Sequence, residues 1–234
     1  MVYITGDRHG HFEDIPVFCE RMQTTKDDVL IILGDVGLNY WLHGQDTKQK
    51  QMLSKLPITL FCIRGNHEER PENIKGYHLD IFWNGCVLTE SEFPNLIFAL
   101  DGETYDVPCR QGVKHAMVIG GAYSVDKHIR LRNGWGWFKD EQLSTAERLQ
   151  ITKLLQQEGS KVSLILAHTC PHSAEPLDKY LSQVNQDTVD KTMENWMETL
   201  VPLLPKNHIW YCGHWHLNRK VGKVQFLYED IQEL

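Results

Sequence analysis

The chain contains five short apolar runs, and each run ends in a cluster of aspartate, asparagine or histidine residues. The run VLIIL at 29–33 is wholly apolar, which is typical of a parallel strand buried on both faces. Ligands bind at the carboxyl ends of strands in an open α/β sheet, so we expect the five clusters to meet at one edge. The clusters are TGDRHG after 2–4, GDVG after 29–33, RGNHE after 58–63, AHTCPH after 162–166 and GHWH after 209–212.

Strands and helices alternate along most of the chain, and this pattern predicts an α/β fold. The predicted strands lie at 2–5, 29–33, 58–63, 162–168, 208–214 and 224–228. The predicted helices lie at 13–23, 45–55, 140–157 and over most of 174–200. Between 78 and 119 the pattern changes to short strands separated by turns, which predicts mainly antiparallel pairing. The segment 120–138 is expected to be a loop.

Composition narrows the class of protein. With 234 residues, 41% of them hydrophobic, the chain can bury a core of ordinary size, and we expect a single domain over 1–234. The net charge of −7 argues against a basic nucleic-acid coat or a polybasic membrane binder. No apolar run is long enough to predict a membrane span, and the N-terminal residues lack a signal-peptide layout. Six scattered cysteines without a CxxC pair indicate reduced thiols, so a cytoplasmic location is expected.

The polar clusters together supply a mixed set of oxygen and nitrogen donors. Such a set suits manganese, iron or zinc better than calcium. The donors are too many for one tetrahedral ion and about right for two ions, which one carboxylate can bridge at roughly 3.5–4 Å. The candidate residues are Asp7, His9, Asp35, Asn66, His67, His168, His214 and His216.

The same residues carry a family resemblance. GDxHG, GDxG, GNHE, a single histidine after a strand, and GHxH occur in this order between residues 6 and 216. Five motifs in order, each after a predicted strand, are a far stronger signal than any one of them. The chain therefore resembles the calcineurin-like metallophosphoesterase superfamily. The resemblance implies an α/β (α+β) sandwich of two mixed β-sheets packed face to face and flanked by helices, with a dinuclear site at one end.

The resemblance also implies a role for each residue. The first metal would be held by Asp7, His9 and His216, the second by Asn66, His168 and His214, with Asp35 as the bridge. Two such ions turn water into hydroxide near neutral pH, and the hydroxide attacks phosphorus in line. Asp35 and His67 are the predicted catalytic residues, and His67 would donate a hydrogen bond or a proton to the leaving oxygen. Manganese is the first expectation, with iron, zinc and nickel as alternatives.

Basic residues near these motifs are candidates for binding the substrate. Arg8 and Arg64 are expected to contact the phosphate oxygens. The loop 120–138 interleaves basic and aromatic residues, a pattern that can hold a phosphate while a base stacks on a ring. Its candidate contacts are Tyr123, His128, Arg130 and Arg132. The alternative for the aromatic residues of this loop is simple burial.

The predicted function is hydrolysis of phosphate mono- or diesters, first of all on a nucleotide or a nucleic-acid end. Protein serine/threonine phosphatases of this superfamily carry GDxVDRG where this chain has GDVGLNY. The aspartate that orients the histidine of GNHE in those enzymes has no counterpart here, so the residue that orients His67 is left open. A protein or small-metabolite phosphatase is the first alternative. A non-catalytic, protein-binding scaffold is the second, although scaffolds tend to lose ligands and none is missing here. The sequence carries no signal for an oligomeric state.

Overall fold

Two mixed β-sheets are formed by the described residues, 1–178 and 188–234, of the computed structural model. The strands of the first sheet are β1 (Val2–Thr5), β2 (Val29–Leu33), β3 (Thr59–Ile63), β4 (Tyr77–Phe82), β5 (Gly85–Glu90), β6 (Leu96–Ala99) and β13 (Gln232–Glu233). The strands of the second sheet are β7 (Thr104–Cys109), β8 (Gly112–Ile119), β9 (Leu164–Ala167), β10 (Ile209–Cys212), β11 (Arg219–Val221) and β12 (Val224–Phe226). Their spatial orders are β13-β1-β2-β3-β6-β5-β4 and β11-β12-β10-β9-β8-β7.

Each sheet has a parallel centre with antiparallel strands at its edges. β1, β2, β3 and β6 pair in parallel in the first sheet, and β8, β9, β10 and β12 do so in the second. The antiparallel pairing predicted for 78–119 is found in β4–β5, β5–β6 and β7–β8. Within that stretch, β6 and β8 also extend the parallel centres by pairing with β3 and β9.

Side chains alternate between two apolar layers along the central strands. Ile31 of β2 packs between the two sheets with Phe61 of β3 and Leu166 of β9. Its neighbours Leu30 and Ile32 face the other way, into a separate cluster with the helices of the first sheet. The wholly apolar run VLIIL is therefore explained by burial on both faces, as predicted.

The described residues form five α-helices, and four of them cover the outer faces of the sheets. The five helices are α1 (Asp14–Met22), α2 (Gly44–Leu53), α3 (Lys127–Asn133), α4 (Thr145–Glu158) and α5 (Thr192–Leu200). α1 and α2 pack on the first sheet, and α4 and α5 pack on the second. The predicted fold class is confirmed: two mixed sheets lie face to face and are flanked by helices.

Three predicted elements differ in the structure. The helix predicted from 140 begins at 145, because Ser144 caps it and forms a capping box with Glu147. The segment 120–138 is not wholly a loop, since it contains α3. Of the helical region predicted over 174–200, only α5 is an α-helix in the described part. Pro176 disfavours helix at the start of that region, and 179–187 lies outside the described residues.

Candidate metal centre

The polar clusters after β1, β2, β3, β9 and β10 meet at one end of the sandwich. Two contacts show that the two sheets come together there. The backbone N–H of His214, after β10, donates to Asp7 Oδ1 at 2.7 Å, after β1. Nε2 of His168, after β9, lies 2.8 Å from Oδ1 of Asn66, after β3. Residues far apart in the sequence therefore share one buried site at the seam between the sheets.

Two overlapping groups of potential ligands occupy this seam. Within each group, one ligand atom per residue lies within 4.8 Å of the others. In the first, His216 Nε2 is 2.9 Å from His9 Nε2 and 3.1 Å from Asp7 Oδ2. In the second, His168 Nε2 is 3.6 Å from Asp35 Oδ2. The groups are Asp7, His9 and His216, and Asp7, Asp35 and His168.

The backbone beneath these side chains is strained. His9, Asp35, His214 and His216 have φ values of 49°, 43°, 62° and 47°. Residues other than glycine rarely adopt this left-handed region, and such strain concentrates at functional sites. Four candidate site residues therefore hold costly conformations that bring their side chains together.

Glycines allow the strands to approach each other at the site. Gly34 has a φ of +98°, and an added Cβ would lie 2.1 Å from Nδ1 of His168. At Gly65 an added Cβ would lie 1.9 Å from Oδ1 of Asp35. The sequence predicts these glycines for sharp turns. At Gly65 the structure shows a second reason, which is room for the carboxylate.

A chain of hydrogen bonds fixes the orientation of the Asn66 amide. Ser124 Oγ donates to the carboxylate of Glu141 at 2.5 Å, so it can accept a hydrogen bond from Asn66 Nδ2 at 2.9 Å. Glu141 also accepts a hydrogen bond from Trp137 Nε1 at 2.8 Å. Ser124 and Glu141 are buried, and the sequence analysis missed both. The sequence feature that could have indicated Glu141 is an acidic residue shortly after a tryptophan, whose indole N–H can donate to it.

The fixed amide creates a pair of hydrogen-bond acceptors that face each other. His168 Nδ1 lies 2.8 Å from the carbonyl oxygen of Leu33, so this nitrogen must be the donor. In a neutral ring Nε2 then carries the lone pair, and it points at Asn66 Oδ1 from 2.8 Å. Two buried acceptors in contact are stable only with positive charge beside them, which a metal ion or a proton supplies. The donor chemistry at His168 and Asn66 therefore fits a cation.

Two buried carboxylates next to the seam have opposite pKa shifts. Burial alone would raise the pKa of Asp35, but His168, His67 and His9 outweigh it and hold that pKa well below its ordinary value. Burial, with a smaller contribution from Asp35, raises the pKa of Glu68 to about 7. An ionised Asp35 is the form that can bind a cation.

Glu68 ties two of the site loops together. Its carboxylate accepts hydrogen bonds from the backbone N–H groups of Gly65 at 2.9 Å and of Val36 and Gly37 at 3.2 Å. These contacts join the loop after β3 to the loop after β2, which carries Asp35. The sequence analysis assigned no role to Glu68. The sequence feature that could have indicated a role is its place directly after His67, as the last residue of the GNHE motif.

His67 lies beside the two ligand groups and contacts α3. Arg130 Nη2 lies 3.2 Å from His67 Nε2, and because a guanidinium can only donate, Nε2 is the acceptor. Burial lowers the pKa of His67, Asp35 opposes this effect and Arg130 adds to it. Arg130 is held in turn by Asp126, whose Oδ2 accepts from Nε at 2.8 Å. The sequence analysis left open which residue orients His67, and in the structure Arg130 makes a contact that can do so.

Comparison with known proteins decides the family. The family model for calcineurin-like phosphoesterases matches residues 1–218. The chain belongs to the calcineurin-like phosphoesterase family. This calcineurin-like phosphoesterase is therefore a hydrolase of phosphate esters with a site for divalent metal. No curated protein sequence gives a significant match to the chain.

The arginines predicted to bind substrate differ in their positions. Arg130 lines a cleft beside Asp35 and His67 in this calcineurin-like phosphoesterase. Arg8 is buried, pairs with Asp14 and lines a cavity on the Asp7 side of the site. Arg64 is 3% exposed and donates to Asp101 at 2.6 Å and to the Glu141 carbonyl at 3.0 Å. These contacts favour a structural role for Arg64, and its contact with phosphate stays a prediction.

The other candidates from the segment 120–138 do not line the cleft. His128 and Arg132 are exposed on α3, and Tyr123 is half-buried before the helix. Because α3 is a helix, only one of its faces can turn toward the site, and Arg130 occupies that face. His128, Arg130 and Arg132 therefore lie on a helix where the sequence predicted a loop, and contact of these residues with substrate stays a prediction.

The hydrogen-bond chain that orients Asn66 leads to a test of metal binding in this phosphoesterase. We expect Ser124→Ala to weaken manganese binding about 10- to 100-fold, the usual cost of losing a group that orients a ligand. The loss arises because Asn66 can then rotate and turn its amide group toward the cation. Calorimetric titration with manganese measures the affinity.

Ser91→Ala is the matched control, because Ser91 is an exposed serine distant in sequence from every ligand. It should bind manganese as the parent does. Equal affinity in Ser124→Ala and the parent would show that the Asn66 amide needs no support from Ser124.

Proposed function

We propose that this protein is a dinuclear metal-dependent phosphoesterase that hydrolyses phosphate mono- or diesters. The observation that carries the proposal is the contact between two acceptors, Asn66 Oδ1 and His168 Nε2, beside the carboxylate of Asp35. One ion would be held by Asp7, His9 and His216, the other by Asn66, His168 and His214, with Asp35 shared. Manganese is the first candidate, and iron, zinc and nickel are alternatives with the same donor preferences.

The ring of His214 fits the second ion. Its centroid is 5.0 Å from that of His168, and its burial holds its pKa well below the ordinary value. A neutral imidazole is the form that binds a metal. On the first ion, the ring of His216 stacks on Tyr228 with the centroids 4.7 Å apart, which fixes the direction of the imidazole.

The protein's own residues would prepare the ester for attack. When bound, two divalent ions supply a strong nucleophile from water at neutral pH and neutralise charge on the ester oxygens. His67, with Arg130 donating to its Nε2, keeps one proton on Nδ1 for a hydrogen bond to the substrate. Arg130 adds a charged donor for a non-bridging oxygen. The sequence left two roles open for His67, a hydrogen bond or a proton to the leaving oxygen. A neutral imidazole favours the hydrogen bond, because its N–H gives up a proton only reluctantly.

The best-supported substrate is a nucleotide or a nucleic-acid end. Support comes from the arginine and the aromatic side chains that stand beside the candidate centre. A protein or small-metabolite phosphatase is the alternative for an enzyme of this family. A non-catalytic scaffold is disfavoured, because scaffolds tend to lose ligands and the sequence retains the full predicted set. None of the helices in the described residues combines the length and apolar character that crossing a membrane requires. We place the protein in the cytoplasm on the basis of its scattered cysteines.

The proposed bridging role of Asp35 leads to a test of activity. We expect Asp35→Asn to lower the rate on aryl phosphate esters about a thousandfold or more, because the shared negative charge that holds both ions is lost. Hydrolysis with manganese present measures the rate. Asp27→Asn is the control, since it makes the same change at an exposed carboxylate. Full activity in purified Asp35→Asn would refute a shared bridging carboxylate.

The different positions of two arginines on α3 lead to a second test. We expect Arg130→Ala to lower kcat/KM about 10- to 100-fold, as expected for a charge-assisted hydrogen bond to phosphate. Most of the loss should be a higher KM. Arg132→Ala should stay within about twofold of the parent, because Arg132 does not line the cleft. Steady-state kinetics on one ester measures both variants. Equal losses in the two variants would remove Arg130 from the binding site.

A further inference from the structure

A cleft of about 360 Å³ opens directly beside Asp35 and His67. Its walls come from the loops after β1, β2 and β3, from α2 and from Arg130 of α3. The volume falls in the lower part of the ~300–1,000 Å³ range of small-molecule sites. The cleft therefore has room for one small organic group next to the reacting phosphate.

The cleft has an aromatic wall that is held in place. Trp41 lines it and is 47% exposed, which is high for so large an apolar side chain. The buried carboxylate of Asp46 accepts hydrogen bonds from the backbone N–H groups of Trp41 at 3.1 Å and of Leu42 at 2.7 Å. Leu42 has a φ of +58°, a strained conformation outside glycine. The protein thus fixes the loop that presents an indole to solvent beside the site.

A second aromatic ring supports the same wall. The ring of Tyr40 packs edge-on against Trp41 with the centroids 5.0 Å apart. Gly136 leaves room for Tyr40, since a Cβ there would lie 3.0 Å from its ring. The carbonyl of Gly136 also accepts from Arg130 Nη1 at 3.2 Å. The wall and the arginine are therefore positioned by one shared segment.

Two side-chain amides, those of Gln45 and Gln49, line the cleft as well. Gln49 Nε2 donates to the carbonyl of Gly10 at 3.1 Å, which orients its amide. Its Oε1 is buried and meets no donor among the described residues. The contact with Gly10 therefore holds the Gln49 side chain in the wall of the cleft.

Charge distinguishes this cleft from a neighbouring cavity of about 270 Å³, although Glu13 lines both. The second cavity adds the carboxylates of Asp14 and Glu229, and its one arginine, Arg8, is paired with Asp14. The cleft with Trp41 adds Arg130 and lacks Asp14 and Glu229. It is therefore the less acidic of the two cavities and the more favourable one for an anionic ester.

We propose that this cleft binds the base of a nucleoside leaving group, with the ring stacked on Trp41. The inference rests on the proposed phosphoesterase function and specifies the substrate. Water adds its oxygen to phosphorus, the bond from phosphorus to the nucleoside oxygen breaks, and that oxygen leaves as an alcohol after gaining a proton. For a monoester the products are phosphate and the free nucleoside.

Two substrates that share a leaving oxygen and differ by the base test this assignment. They are adenosine 5′-monophosphate and ribose 5-phosphate, offered to the manganese-loaded protein. We expect kcat/KM to be at least about tenfold higher for the nucleotide, and Trp41→Ala to remove most of this advantage, as stacking on an aromatic ring predicts. Trp41→Phe should keep most of it. Trp135→Ala is the control, because Trp135 is 55% exposed but lies outside the cleft.

Direct binding of adenosine separates the cleft from catalysis. Calorimetry should show that adenosine binds the manganese-loaded parent and Trp135→Ala equally, and Trp41→Ala about tenfold more weakly, while ribose does not bind. Adenosine binding without ester hydrolysis would support the cleft and overturn the proposed function alone. Ester hydrolysis with no preference for the nucleotide and no binding of adenosine would overturn the assignment. So would a change of oligomeric state in Trp41→Ala without effect on adenosine, since Trp41 would then belong to an interface.

Discussion

The contact between Asn66 Oδ1 and His168 Nε2 is the interaction on which the rest of the site depends. The carbonyl of Leu33 sets the tautomer of His168, and Ser124 sets the amide of Asn66. With His168 neutral, neither partner can turn a proton toward the other, and both are buried at the seam between the sheets. A cation is what makes this arrangement stable, so the fold holds a place for positive charge before any substrate arrives.

The two-sheet architecture explains how this place is built. β1, β2 and β3 end side by side in one sheet, and β9 and β10 end side by side in the other. The sheets pack face to face, so the loops after these five strands share one end of the sandwich. Such close packing has a cost, which is seen in the left-handed backbone of residues such as Asp35 and His214. The cost is consistent with a site selected for function, since strain of this kind lowers stability.

The outer wall of the site is built separately from the metal seam. Arg130 and Trp41 come from segments that are not strand ends, and each is fixed by a carboxylate, Asp126 for Arg130 and Asp46 for the loop of Trp41. In the proposed function, the inner residues would hold the metal ions and the phosphate, and the outer ones would bind the organic part of the ester. This division separates chemistry from specificity within one small chain.

The convergence of the inner residues could be predicted from the sequence, whereas the arrangement of the outer wall could not. Residues such as Asp7 and His216 directly follow apolar strands, and strand ends of a parallel sheet converge whatever the loops do. The directions of the Arg64 and Arg132 side chains were harder to predict, because a basic residue close to a motif can turn toward a structural partner or toward solvent. Trp41 was missed, since its exposure depends on Asp46, which follows it by five residues and shows no pattern in the sequence.

The number of divalent ions that the protein holds tests the central claim most directly. The purified chain, freed of metal and then dialysed against increasing manganese, can be analysed for metal and protein together. The account predicts saturation at two ions per chain, because the proposed ligands form two sets with Asp35 between them, its Oδ2 lying 3.8 Å from His9 Nδ1 and 3.6 Å from His168 Nε2. Saturation at one ion per chain, or at none, would contradict it.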